Sequence, residues 1–154
     1  MFPDAGHLDF PVLDMYKVDM TGFNADKPID ERRELIYYRP MKPLPADHVN
    51  AHIVCHAYGA DRNGLIMQGN HIGFGFNLGV VGSLSYAFYV HVNGDETIMK
   101  GDGWWLQEVE WPRFSAGRGL MENRIWSPEG IHVATAYQDG IVLPKANPVR
   151  TEKL

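Results

Sequence analysis

Cysteine is nearly missing from this chain: Cys55 stands alone among 154 residues. One thiol cannot close an internal disulfide, so packing must hold the fold, and the usage suits a reducing compartment. Cys55 itself is expected as a small, buried or half-buried residue. Long apolar runs are missing as well; without about 18 uninterrupted apolar residues, no membrane-spanning helix is expected. The opening "MFPDAGHLDFP" lacks a basic stretch followed by an apolar one, so no secretory leader is expected. Positive charge is in short supply, with 14 Lys and Arg against 19 Asp and Glu, a net −5. No basic stripe dominates any segment. That argues against nucleic acid as a partner, and it means that an anionic ligand would need a local cluster of cations. What remains is 45% hydrophobic and 21% charged, the make-up of one globular domain with a sizeable core.

The periodicity changes along the chain. Residues 1–32 are rich in Pro, Asp and Gly and read as an extended lead-in. "ELIYY" (34–38) is a strand candidate closed by Pro40, Pro43 and Pro45. A helix is expected from Ala46 to Ile66, with Asp47 as its N-cap. At about 100° per residue, Val49, Ile53, Val54, Ala57, Tyr58, Ala60, Gly64 and Leu65 share one half of the wheel, and Asp61 falls inside that half. Gly59 and Gly64 weaken the helix, so tertiary contacts must hold it. The pattern then turns to period two: strands at 78–92, 104–111, 117–126 and 131–142, with "SPEG" (127–130) as a type I turn. One long helix and an antiparallel meander make an α+β fold, the sheet wrapped on the helix.

Three polar residues stand out in that scheme. Gln138 shares a strand face with His132, Ala134 and Ala136, where the small neighbours suggest a placed polar group. Asp61 lies on the expected sheet-facing side of the helix. Ser83 shares one face of the long strand with Val81, Ser85, Ala87 and Tyr89. A buried carboxylate needs donors, and a hydroxyl and an amide can supply them. Each has a plain reading too: a helix-end acid in solvent, a small strand filler, a strand-end polar residue.

The segments "HAYGADRNGL", "GSLSYAFYVH", "DGWWLQEVEW" and "GRGLMENRIWSPEGIHVATAYQDGIV" resemble, in order and spacing, the second half of the acyl-CoA thioesterase II family. The resemblance covers roughly residues 33–142, and "PVLDMY" is similar to the connector before that half. The family is built of two hotdog units, each a long helix wrapped by an antiparallel sheet. The resemblance implies a hotdog domain over 33–145, with 1–32 as lead-in and 146–154 as tail. It also implies an active site of Asp61 as general base with Ser83 and Gln138 orienting a water that attacks the thioester carbonyl. A desolvated carboxylate is a competent base near neutrality, and holding the water in place removes much of the entropic cost. No cofactor and no metal are implied.

The chain departs from the family at Ser85-Tyr86-Ala87, where the pattern has an acid and a histidine, and at "QDG" for "QEG". It also has one unit where the family has two. Either it is a fragment of a two-unit protein or it is a single-unit relative that pairs with itself; a lone unit leaves a sheet edge and a helix flank needing cover, so a homodimer is expected. Two other uses of the same fold stay open: a cyclase, isomerase or dehydratase exploiting Tyr86, or a non-catalytic partner that carries a ligand. Placement inside the cell is expected, in the cytoplasm or the peroxisome; the ending Lys153-Leu154 is only a weak peroxisomal signal, because Glu152 stands where a small residue belongs.

Other motifs compete. His48, His52 and His56 recur every fourth residue, a spacing that suits zinc, but the stripe lies opposite the apolar half and is expected to be a solvated face. "GFGFNLG" (73–79) has no helix or Lys after it and is no phosphate loop; a flexible segment lining an acyl pocket is the alternative. Trp104, Trp105, Trp111 and Trp126 are expected in packing or interfaces. Arg113, Arg118 and Arg124 are candidates for coenzyme A phosphates, with a solvent-facing edge the plainer account for at least two.

Overall fold

The strands expected at 34–38, 78–92, 104–111, 117–126 and 131–142 are all present. In the computed structural model, which describes residues 6–8, 10–61 and 64–146, the elements are β1 (Gly6–Leu8), β2 (Leu13–Lys17), α1 (Thr21–Asn24), β3 (Arg33–Pro40), α2 (Val49–Asp61), α3 (Gly64–His71), β4 (Leu78–Val90), β5 (Trp105–Ser115), β6 (Arg118–Trp126) and β7 (His132–Pro144). One antiparallel sheet runs in the order β1-β2-β3-β5-β6-β7-β4. The two-residue turn between β5 and β6 puts Ala116 and Gly117 at φ +48° and +70°. That geometry matches the right-handed twist of a hairpin, and Gly117 adopts it freely. In "SPEG" the Gly130 N–H donates to the Ser127 carbonyl (2.9 Å), as a turn requires.

One face of the sheet packs on α2 and α3. Its rows carry Ile36 and Tyr38 from β3, Trp105, Val109 and Trp111 from β5, Met121 and Ile125 from β6, and Ala134, Ala136 and Val142 from β7, all buried. Each large apolar side chain there contributes about 1.5–3 kcal/mol. The helices come close because glycines face them: a Cβ on Gly119 would meet Gln68 at 1.7 Å, and one on Gly140 would meet Leu65 at 2.2 Å. The opposite face carries a charged ladder, Arg33 and Arg124 bridging Glu108 and Glu110.

The structure departs from the sequence reading in three places. First, β1 and β2, within the expected lead-in, belong to the sheet: β1 pairs with β2 and β2 with β3, and Leu13 and Met15 are fully buried. Lys17 reaches the Glu34 carboxylate at 3.0 Å, and the His71 Nε2–H donates to the same oxygen at 2.7 Å. Second, the helical segment begins at Val49 and is described as two helices, 49–61 and 64–71; residues 62–63 lie outside the described residues, as does the tail from 147 onward.

Third, the helix turns the face that the wheel assigned to solvent toward the core. His52 and His56 are buried with Gly59 and Ala60, while Val54 and Tyr58 are exposed. The histidines go inside because every ring nitrogen is used. The Met99 N–H donates to His52 Nδ1 (3.1 Å), so His52 Nε2–H donates to the Pro45 carbonyl (3.1 Å). His56 Nε2–H donates to the Thr97 carbonyl (2.9 Å), which leaves Nδ1 to accept from the Tyr38 hydroxyl (2.6 Å). Both rings act as clamps, with each ring nitrogen paired as burial demands.

Candidate active site

The last turn of α2 is fastened from the sheet. The Tyr86 hydroxyl donates to the Ala57 carbonyl (2.8 Å), Asn123 Nδ2 to the Ala60 carbonyl (3.3 Å) and Trp111 Nε1 to the Gly64 carbonyl (2.9 Å). The Ala60 carbonyl, among the last four of α2, has no partner within the helix, and Asn123 supplies one; Tyr86 and Trp111 add bonds to Ala57 of α2 and to Gly64, the first residue of α3. The carboxylate of Asp61, the final residue of α2, is thereby held above β7.

Gln138, on the helix-facing row of β7, is 1% exposed. Its Nε2 donates both hydrogens, one to Asp61 Oδ1 (2.5 Å) and one to Ser83 Oγ (2.7 Å). The opposite orientation of the amide would set its oxygen against a carboxylate, so the assignment follows from charge. Gln138 Oε1 is left buried with no partner among the described residues. The Ser83 hydroxyl, accepting from Gln138, keeps its own proton to donate. The three residues singled out in the sequence meet at one point.

Ser83 reaches that point through an irregularity that alternation does not show. Ser83 lies opposite Gly140 and Ser85 opposite Asp139, so Leu84 is an extra residue in β4. Such a bulge reverses the facing of everything after it. Ser83 and Tyr86 both face the helices, whereas Ser85 turns to the outer face and donates to Asp139 Oδ2 (3.2 Å). The shared face expected for Ser83 and Ser85 does not exist.

The surroundings differ from expectation in one respect. Asp61 is exposed in the single chain, not set in a dry crevice. It continues an exposed stripe with Val54 and Tyr58, at i, i+4 and i+7 of α2, which are 65% and 37% exposed. Beside it runs β4, a 13-residue strand at the end of the sheet, with Val80, Leu84 and Tyr89 more than half exposed. Burial, and next the nearby Asp61 carboxylate, push the Tyr86 phenol well above its usual range. Tyr86 is thus a neutral donor whose proton is engaged by the helix backbone.

These coordinates have close counterparts. The model of the acyl-CoA thioesterase C-terminal domain family matches residues 14–142. The chain belongs to that family. Among solved structures it is similar to the acyl-CoA thioesterase II TesB2 of Mycobacterium marinum, at 25% identity and TM-score 0.71, over 99% of this chain and 57% of that one. It is similar also to the tesB protein of Mycobacterium avium subspecies paratuberculosis, at 15% identity and TM-score 0.66, over 93% of this chain and 53% of that one. A hotdog-fold protein of unknown function from Alicyclobacillus acidocaldarius superimposes with TM-score 0.59 at 15% identity, over 93% of this chain and 52% of that one. The fold is a hotdog, and this member of the acyl-CoA thioesterase C-terminal domain family spans about half the length of these three structures. No curated protein matches its sequence.

Among the described residues, no three His, Cys, Asp or Glu side chains gather as a metal site, and no helix is long and apolar enough to cross a membrane. Burial pushes the Cys55 thiol up to about 11, which leaves it protonated and inert at neutral pH. Sequence reasoning missed Tyr86, Asn123 and Trp111 as the groups that position Asp61. The signal was available for Asn123, a polar residue on a row shared with Met121 and Ile125.

Proposed function

We propose that this chain hydrolyses acyl thioesters, acyl-CoA foremost, with Asp61, Ser83 and Gln138 as its catalytic residues. The observation that carries the reading is the Gln138 amide bridging the Asp61 carboxylate and the Ser83 hydroxyl. Gln138 holds one oxygen of the carboxylate, which leaves the other to take a proton from water. The Ser83 hydroxyl, whose proton is free, offers a donor to orient that water. The water oxygen bonds to the thioester carbon as Asp61 takes its proton. The tetrahedral intermediate collapses with cleavage of the C–S bond, and the thiolate recovers the proton from Asp61, so that carboxylic acid and thiol leave and the base is restored.

The exposure of Asp61 motivates the second part of the reading: a second copy of the chain covers the Val54–Tyr58–Asp61 stripe and the β4 edge. An edge of that length with exposed apolar side chains is a template for pairing, and excluding water would strengthen every charge interaction at the site. The engaged Tyr86 proton speaks for hydrolysis over a reaction that would need a phenolic acid.

Release of free thiol from acyl-CoAs of several chain lengths tests the activity, with Asp61→Asn expected to abolish it and Gln138→Ala to reduce it. Hydrolysis at wild-type rate in Asp61→Asn would end the proposal. Light scattering at micromolar concentration tests the pairing; a monomer that is fully active would refute it.

A further inference from the structure

Two arginines on the outer face of the sheet stand apart from the other described ones. Arg32 donates to the Lys27 and His71 carbonyls, Arg33 pairs with Glu108 and Glu110, Arg39 with Asp14, and Arg124 with Glu108, Glu110 and Glu122. Arg113 and Arg118 are exposed, and neither has an ion-pair partner among the described residues. In a chain carrying a net −5, two uncommitted cations side by side are the local cluster that an anion requires.

The backbone puts them together deliberately. Glu110 pairs with Glu122 and Arg113 with Leu120, so Trp111 and Pro112 form an irregularity in β5. It moves Arg113 off the helix-facing row that ends at Trp111. Arg118, next to the helix-facing Gly119, also points outward. The two guanidiniums line a cleft of about 400 Å³ with Leu84, Leu120, Ser85 and Asp139. The cleft therefore reaches the bulged residue adjoining Ser83, where the outer face meets the edge strand.

We propose that this cleft holds the phosphate-bearing end of the acyl-CoA substrate. The proposal rests on the thioesterase reading and assigns the part of the substrate that does no chemistry. Guanidinium forks match phosphate oxygens in pairs, and Leu84 and Leu120 offer an apolar wall for the arm leading toward Ser83. The Asp139 carboxylate, which accepts from Ser85, lies in the same cleft and opposes the anion, so the site carries two positive charges against one negative. That opposition gives the proposal its sharpest signature.

Calorimetric titration with CoA itself tests it without any turnover. Wild-type chain is expected to bind CoA at least about tenfold more tightly than pantetheine, which lacks the phosphates, as the loss of charge-assisted hydrogen bonds implies. The Arg113→Gln/Arg118→Gln double variant should lose about tenfold for CoA and nothing for pantetheine, Arg113→Lys/Arg118→Lys should recover part of the loss, and Asp139→Asn should bind CoA more tightly. A merely structural role would not separate CoA from pantetheine. Equal affinity for the two, or CoA binding untouched in the double variant, overturns the proposal. Phosphate-dependent binding without thiol release from any acyl-CoA would instead overturn the hydrolytic reading and leave the cleft standing.

Discussion

Acid should loosen this protein through a single ring. His56 is 1% exposed, and its pKa is pulled down from 6.5 to about 4, chiefly because burial disfavours the cation; the bond to the Thr97 carbonyl works the other way, and the neighbouring His52 adds slightly to the fall. In the unfolded chain the ring titrates near 6.5, so between those values the unfolded state binds the extra proton. The stabilisation is therefore fully present above pH 6.5 and is lost as the pH falls toward 4. At about 1.36 kcal/mol per pH unit of difference, the loss from pH 7 to pH 5 comes to about 2 kcal/mol, or roughly 4–8 °C in melting temperature for a chain of this size. Urea unfolding followed by tryptophan fluorescence at the two pH values measures it, and Trp105, whose ring lies 4.4 Å from that of His56, is a local reporter. Other groups titrate over the same range, so the decisive quantity is the difference from His56→Gln. That variant should be less stable at pH 7 for want of its two hydrogen bonds, yet lose about 2 kcal/mol less on acidification. Equal losses in both proteins would refute the assignment.

Asp61→Asn should leave the melting temperature within a few degrees of wild type, since the side chain is exposed, while Gln138→Ala, which removes a buried partner, should cost about 1–2 kcal/mol in urea unfolding. Gly119→Ala drives a Cβ to 1.7 Å from the buried Gln68 amide and should destabilise by about 1–3 kcal/mol, seen as a shift in the unfolding midpoint. Cys55 should react with a thiol reagent only after denaturation, given its raised pKa and half-buried position; rapid labelling of native protein would contradict this. Val54→Lys should shift the light-scattering mass toward monomer and lower thiol release together, because it places a charge where a second copy would sit.

Much of the architecture could be read without coordinates, because strand alternation is local and the turns "SPEG" and Ala116-Gly117 are marked by glycine. Gln138 was legible for the same reason: a polar residue following two alanines breaks the expected row. The face of α2 was not. Counting Ala, Val and Tyr as buried and His as solvated reverses the helix, since what makes His52 and His56 good core residues is a set of partners at Tyr38, Pro45, Thr97 and Met99. Thr97 and Met99 come from a distant part of the chain, and no short window of the sequence contains them with the histidines. The bulge at Leu84 hid in a run of Ser-Leu-Ser that alternates smoothly on paper. The same blindness separated the first strands from the sheet, since their pairing with β3 is long-range and "PVLDMYKV" is too short to announce it.

The extra residue in β4 has an evolutionary corollary. Because Leu84 is itself exposed, side chains of many sizes fit there at little cost to the chain alone. Its removal is another matter: the strand would slide into plain alternation, and Ser83 and Tyr86 could no longer share a side. At this spot the number of residues counts for more than their kind, and a one-codon deletion should part Ser83 from Gln138 more surely than most substitutions nearby.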